Sequence, residues 1–346
     1  MTISLERLRR CTIAVDLGAA RTRVYLKRSG VIVDEPTVAA VNTRTGGLIA
    51  VGSLAERMTG RTPAHIRVVR PVSGGTVVDI AMAQRMLRLL LGNKLRRAWR
   101  RRPLMSAAVC VPHDADPLAQ RAAVETLTGV GARRVELVDT LIAAAVGCGL
   151  PVERPEATMI VVCGAATTQV AVLSLGSIVA AERVPVGGDT VDHALIQHLR
   201  NEHALMLPSQ AVRPLHMVLN DEGPLTKGAE RVTEVHGRDV ATGLARSVRV
   251  DVDGVRTAMR TPLTGLLDSI GTVLRRCPPD LVADLADRGI MLAGGSALLP
   301  GLDSMLREAT GMPLNIADRP DICAVEGLGA MLDGKVQPLV LEAMVS

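Results

Sequence analysis

Two short segments of this 346-residue chain carry residue types suited to holding an anion. Val15-Asp16-Leu17-Gly18-Ala19-Ala20-Arg21-Thr22-Arg23-Val24 is echoed 146 residues later by Val161-Val162-Cys163-Gly164-Ala165-Ala166-Thr167-Thr168-Gln169-Val170. The shared pattern is apolar-x-x-Gly-Ala-Ala-x-Thr-x-Val. Each copy starts and ends on an apolar strand, so each predicts a hairpin whose tight turn carries Gly-Ala-Ala. Small residues let backbone N–H groups approach an anion, and two such turns facing each other can grip a phosphate chain. One copy in an Ala-rich chain reads as a plain hairpin; the pair, in matched strand context, implies a duplicated domain. Asp16 sets a carboxylate at the end of the first apolar strand. Gly294-Gly295-Ser296, after a strand predicted over 289–292, adds a third small-residue element.

The elements that position these turns alternate. Strands are predicted at 12–15 and 24–26, with two or three more over 31–51. Helical spacing of apolar residues marks 79–91 and 118–130. Between them Ala107-Ala108-Val109-Cys110-Val111 is a continuous apolar run, the pattern of a strand buried on both faces. Strands at 158–162 and 169–175, a helix at 190–200, a variable region at 207–255 and a helix at 262–276 follow. This order is that of an α/β protein.

Composition narrows the function classes. The chain is 48% hydrophobic and 22% charged, enough to fill cores in about two domains. No apolar run reaches the roughly 18 residues of a membrane span, and the N-terminus shows no secretory signal, so a cytoplasmic chain is expected. Six Cys without a CxxC pair read as buried free thiols rather than disulfides or a zinc site. The net charge is +5, but 36 of the 40 basic residues are Arg, a bias that weakens any inference from the total. One Trp, one Tyr and no Phe leave no platform for stacking bases, so no nucleic-acid partner is expected. His113 beside Asp114, and His193 with His198, read as surface or capping histidines.

The paired hairpins and the strand–Gly-Gly element resemble the actin/Hsp70/sugar-kinase superfamily, and more closely the bacterial actin homologues of the MreB/Mbl family. Ile13-Ala14-Val15-Asp16-Leu17-Gly18, Asp34-Glu35-Pro36-Thr37-Val38, Arg57-Met58-Thr59-Gly60-Arg61-Thr62-Pro63, Ala143-Ala144-Ala145-Val146-Gly147, Gly188-Asp189-Thr190-Val191-Asp192 and 288–299 carry the resemblance, over nearly the whole chain. It implies an actin-like α/β fold of two duplicated domains and four subdomains around a nucleotide cleft. Domain I would span 1–150 with a subdomain inserted at about 31–75, completed by 316–346. Domain II would span 151–315 with an insertion at about 207–255. It also implies self-association into filaments on the inner membrane face, guiding the cell-wall synthesis machinery and cell or spore shape, with ATP and magnesium as cofactors.

The resemblance assigns Asp16 to the magnesium and its waters, and Gly18, Ala19, Ala20 and Arg21 to the first phosphate loop. Gly164, Ala165, Ala166 and Thr167 form the second, and Gly294, Gly295, Ser296 and Ala297 hold phosphate or ribose at a helix N-terminus. The departures are equally specific. Val162 stands where the family has a second metal aspartate, and Thr140 where it has a water-orienting Glu. Asp139 is the possible substitute. Ala165 and Ala166 add Cβ atoms where the family has Gly. Leu215 and Met217 stand where a Lys and a Glu contact the nucleoside, and Pro214 should end or kink that helix. A degenerate nucleotide site with impaired hydrolysis is expected.

Lys94-Leu95-Arg96-Arg97-Ala98-Trp99-Arg100-Arg101-Arg102 holds six basic residues and the only Trp. It is expected to be an exposed connection. An indole flanked by Arg prefers the bilayer interface, so Lys94, Arg96, Arg97, Trp99, Arg100, Arg101 and Arg102 are expected to contact an anionic membrane.

Overall fold

Residues 5–99, 105–208, 211–212, 215–216 and 232–336 are described by a computed structural model, with the backbone alone for 93–99. Helix α1 (Leu5–Arg10) precedes an antiparallel meander of β1 (Ile13–Leu17), β2 (Arg21–Leu26) and β3 (Gly30–Pro36). A small sheet of β4 (Ala39–Asn42), β5 (Leu48–Val51) and β6 (Ile66–Val69) carries α2 (Ser53–Met58). The ribbon β7 (Val72–Ser73) with β8 (Thr76–Val77) leads into α3 (Ile80–Trp99). Strand β9 (Met105–Val111), α4 (Pro117–Val130), β10 (Ala132–Asp139) and α5 (Thr140–Gly147) follow. Sheet order β10-β9-β1-β2-β3 lays two parallel strands beside the meander's first strand.

The chain then repeats the plan. The strands β11 (Thr158–Cys163), β12 (Thr168–Ser174) and β13 (Ser177–Val184) form a second meander, followed by α6 (Gly188–His203). The three-stranded sheet of β14 (Leu205–Met206), β15 (Val232–Asp239) and β16 (Ala245–Asp251) comes next, then α7 (Val252–Arg260), α8 (Thr264–Arg276) and α9 (Pro279–Arg288). Strand β17 (Ile290–Ala293), α10 (Leu302–Thr310), β18 (Leu314–Ile316) and α11 (Cys323–Leu332) complete it. The second sheet runs β13-β12-β11-β17-β18, again a meander flanked by two parallel strands.

Strand β1 is apolar on both faces because both are covered. Ile13, Val15 and Leu17 pack with Ala83 and Leu87 of α3 and Leu127 of α4, whereas Ala14 packs with Leu328, Met331 and Leu332 of α11. Side chains alternate along a strand, so Asp16 shares the α11 side with Ala14. Helix α11 thereby roofs the first sheet although it follows the last strand of the second. It crosses α5 with the two backbones in contact at Gly147 and Gly327.

The expected helix over 79–91 continues to Trp99, interrupted at Gly92 (φ 26°, ψ −123°). Lys94, Arg96, Arg97 and Trp99 therefore lie on helical backbone rather than on an open connection, since Leu95, Arg96, Arg97 and Ala98 are good helix formers. Their side chains and Arg100, Arg101 and Arg102 lie outside the described residues. Among the described residues no helix is long and apolar enough to cross a membrane. Burial pushes the Cys11 and Cys163 thiols up to about 12, consistent with packing rather than reactivity.

Candidate nucleotide cleft

The two hairpin turns close identically. Gly18 N–H donates to Arg21 O at 3.0 Å, and Gly164 N–H to Thr167 O at 2.9 Å. A Cβ at Gly18 would sit 2.8 Å from Arg21 O, and one at Gly164 2.9 Å from Thr167 O, so the turn demands Gly there. It does not demand Gly at the next two positions. Among the described residues the non-Gly positive-φ positions are Arg28, Leu175 and Ala204, so Ala19, Ala20, Ala165 and Ala166 sit without backbone strain. Among the described residues no backbone carbonyl accepts from the N–H groups of Ala19, Ala20, Ala165 or Ala166. N–H groups without a backbone acceptor at small-residue turns are chemically suited to an anion.

The carbonyls of the second turn face inward. Gly164 O accepts from Gly188 N (3.1 Å) and Ser296 Oγ (2.8 Å), and Ala165 O from Asp189 N (2.8 Å). Gly294, Gly295, Ser296 and Ala297 thus abut the second hairpin. Residues Gly295–Leu298 form one 3₁₀ turn and α10 begins only at Leu302. The expected helix N-terminus at Gly294 is therefore corrected to a 3₁₀ turn, because Gly301 in the left-handed region separates it from the helix. The Ser296 hydroxyl ties this 3₁₀ turn to the second hairpin.

A cross-strand row on the α11 side of the first sheet holds the charge. Register pairs Asp16 with Arg23 and Arg23 with Asp34. The Arg23 side chain, 8% exposed, has Nη2 3.0 Å from Asp321 Oδ2, Nε 3.1 Å from Asp34 Oδ1 and Nη1 3.9 Å from Asp16 Oδ2. Arg21 also holds Asp34, at 2.6 Å. Burial pushes the Asp16 carboxyl above its ordinary 3.8; the Arg23 charge opposes this and Asp34 adds to it. The equivalent row of the second sheet reads Val162, Gln169, Arg183. There Gln169 Oε1 accepts from His113 N (3.0 Å) and Arg183 Nε pairs with Asp114 Oδ1 (2.9 Å). The second row thus reaches across to residues that follow β9 of the first half, whereas the first row reaches the segment before α11.

A raised carboxyl in the folded state means that the unfolded chain loses its proton first as pH rises. Stability from this group therefore falls as pH climbs from the ordinary Asp range through the folded value. Asp16→Asn is expected to raise the thermal midpoint at pH 7 and to leave it nearly unchanged near pH 3. Calorimetry at the two pH values checks this, and equal effects at both would remove the buried-charge explanation.

Asp16 is not set up for a divalent cation. Its cationic neighbour is a guanidinium, its counterpart in the other half is Val162, and no group of three or more His, Cys, Asp or Glu among the described residues is placed to hold a metal. The Arg23 charge alone would repel a divalent ion about 4 Å away by about 8 kcal/mol at an effective dielectric of about 20, before the attraction of Asp16, Asp34 and Asp321 is counted. The residues present do not fit magnesium here.

Asp139 caps α5, its Oδ1 accepting from Leu141 N at 2.8 Å while Oδ2 lies 2.6 Å from His113 Nδ1. Both its oxygens are engaged. Thr140 donates its hydroxyl to Val111 O at 2.9 Å. His113 is thus tied to Asp139 rather than to Asp114, because both lie at the C-terminal ends of neighbouring parallel strands. His193 Nδ1 meets Asp189 O in its own helix at 2.6 Å, as a surface histidine would. Leu215 is buried in the core of the second half, and Pro214 and Met217 lie outside the described residues. The sequence reading missed Arg23, Asp34, Asp321 and the His113–Asp139 pair; an Arg inside the apolar strand Thr22-Arg23-Val24 was the available signal.

Comparison with known proteins places this geometry in context. The family profile described as MreB/Mbl protein matches residues 10–339. The chain is 36% identical over 327 residues to the cell shape-determining protein MreB of Escherichia coli K12, covering 93% of each. It is 32% identical over 321 residues to the cell shape-determining protein Mbl of Bacillus subtilis 168, covering 93% of this chain and 95% of that one. Among solved structures it resembles MreB5 of Spiroplasma citri bound to AMPPNP, with a TM-score of 0.83 and 27% identity over 91% of this chain and 93% of the other. The fold is also that of MamK in a double helical filament, with a TM-score of 0.75 at 20% identity, covering 94% and 99% of the two chains.

Proposed function

The chain belongs to the MreB/Mbl family of cell shape-determining, actin-like proteins, and on that premise we propose that it is a nucleotide-binding cytoskeletal protein whose cleft has lost its hydrolytic groups. The observation that carries the reading is the pair of identically closed hairpins, each with two N–H groups that no backbone carbonyl among the described residues accepts from. The MreB5 relative is seen with AMPPNP and with ADP, which supports a nucleotide as the anion. The MamK filament supports self-association by this fold. In this reading filaments lie on the inner face of the cytoplasmic membrane and guide the wall-synthesis machinery. Electron microscopy of the purified chain on anionic lipid, with and without ATP, tests it. Filaments or sheets on lipid are expected, and uniformly monomeric particles under all conditions would replace the filament with a non-polymerising scaffold.

The membrane part rests on 94–102. Each basic residue near an anionic surface contributes about 1 kcal/mol, so half of the six give about 3 kcal/mol, multiplied in effect by filament avidity. Co-sedimentation with anionic vesicles is expected to weaken with salt, and Trp99 emission to shift to the blue on binding. Unchanged co-sedimentation of Trp99→Ala with Arg100→Ser, Arg101→Ser and Arg102→Ser would return the cluster to ordinary solvated charge.

A further inference from the structure

The buried guanidinium of Arg23 lies inside the first sheet's row, beside Asp16. It is 8% exposed, yet it contacts three carboxylates drawn from β1, β3 and the loop before α11. Strand register, not side-chain flexibility, sets it there, since Arg23 is the direct cross-strand partner of both Asp16 and Asp34. The matching position in the second sheet is Gln169, and the matching position to Asp16 is Val162, so the second half offers no carboxylate to complete a metal site. A second cation stands at the same turn: Arg70 Nη1 is 3.4 Å from Ala19 O, and its charge is felt by Asp189 at the start of α6.

We infer that Arg23 is the resident cation of this cleft, so that the chain binds nucleoside di- and triphosphates as the metal-free anions. The inference rests on the nucleotide reading above and deepens it. A guanidinium is charged at every physiological pH and presents several N–H donors in a plane, which suits phosphate oxygens. Arg70 on the first turn and four backbone N–H groups on the two turns are the donors a phosphate chain would meet beside Arg23, whose own charge is shared with Asp16, Asp34 and Asp321.

Equilibrium binding of a fluorescent N-methylanthraniloyl ATP to the full chain tests this, in magnesium and in excess EDTA. The expected dissociation constants agree within about threefold, whereas a metal-bridged site would weaken by tenfold or more in EDTA, about 1.4 kcal/mol or above. Arg23→Lys is expected to keep EDTA-resistant binding. Arg23→Met is expected to weaken binding in EDTA by about tenfold and to recover part of it in magnesium, since Asp16 is then freed. Circular dichroism confirms that each variant is folded; should Arg23→Met fail to fold, the wild-type and Arg23→Lys arms decide. Binding in magnesium that disappears in EDTA overturns the inference and spares the nucleotide reading. No binding in either condition overturns both.

Discussion

Alanine at Gly327 or at Gly147 is expected to lower the thermal midpoint by about 6 °C or more. A Cβ at Gly327 would press into the carbonyl of Ala143, and one at Gly147 into the carbonyl of Cys323, both far inside van der Waals contact and both against backbone. A rotamer change relieves neither clash, so α5 and α11 must move apart. Overpacking of this kind costs about 3 kcal/mol at the upper end of its usual range, and each kcal/mol is worth about 2 °C in a chain of this size. Gly265 in α8 is the internal control, because a Cβ there would meet only Val186 Cγ2 at 3.8 Å. Gly265→Ala, in the first turn of α8, should be neutral or stabilise by less than about 1 kcal/mol through helix propensity. Thermal unfolding of the three variants reads both signs, and a Gly327→Ala midpoint at or above wild type would mean the helices do not cross as described.

What was legible beforehand follows from how local each signal is. The two hairpins were readable because apolar strands and Gly-Ala-Ala turns are contiguous in sequence, and the strand β9 because burial on both faces leaves an unbroken apolar run. The Arg23 row was not, since it depends on strand register and on Asp321, 298 positions away. The Gly147–Gly327 contact was hidden for the opposite reason: in a single helix glycine reads as a weakness, and its use appears only when another backbone lies against it. The His113–Asp139 pair joins the ends of two parallel strands separated by α4, so adjacency to Asp114 misdirected the reading. Gly294-Gly295-Ser296 showed a turn but not its type, which Gly301 decides five residues or more downstream of the motif.

Steady-state phosphate release is expected to run at least about a hundredfold below that of a family relative that carries both cleft carboxylates. Phosphoryl transfer is mainly positioning and charge neutralisation, and removal of one such group typically lowers turnover by about 10²–10³. Here Val162 packs against the apolar cluster that includes Leu141 and Ala293, and Thr140 has committed its hydroxyl to Val111 O. Asp139, the possible substitute, has one oxygen on Leu141 N and the other on His113, so turning the carboxylate toward a water would cost the helix cap or the His113 contact. Restoring only the family residues, Val162→Asp with Thr140→Glu, is expected to give little gain while Arg23 still occupies Asp16. Adding Arg23→Met should raise phosphate release in magnesium by tenfold or more over the double variant, with circular dichroism confirming that the new charges are tolerated. A wild-type rate matching that of a conventional relative, and abolished by Asp16→Ala, would show that the cleft hydrolyses with groups other than those it has lost.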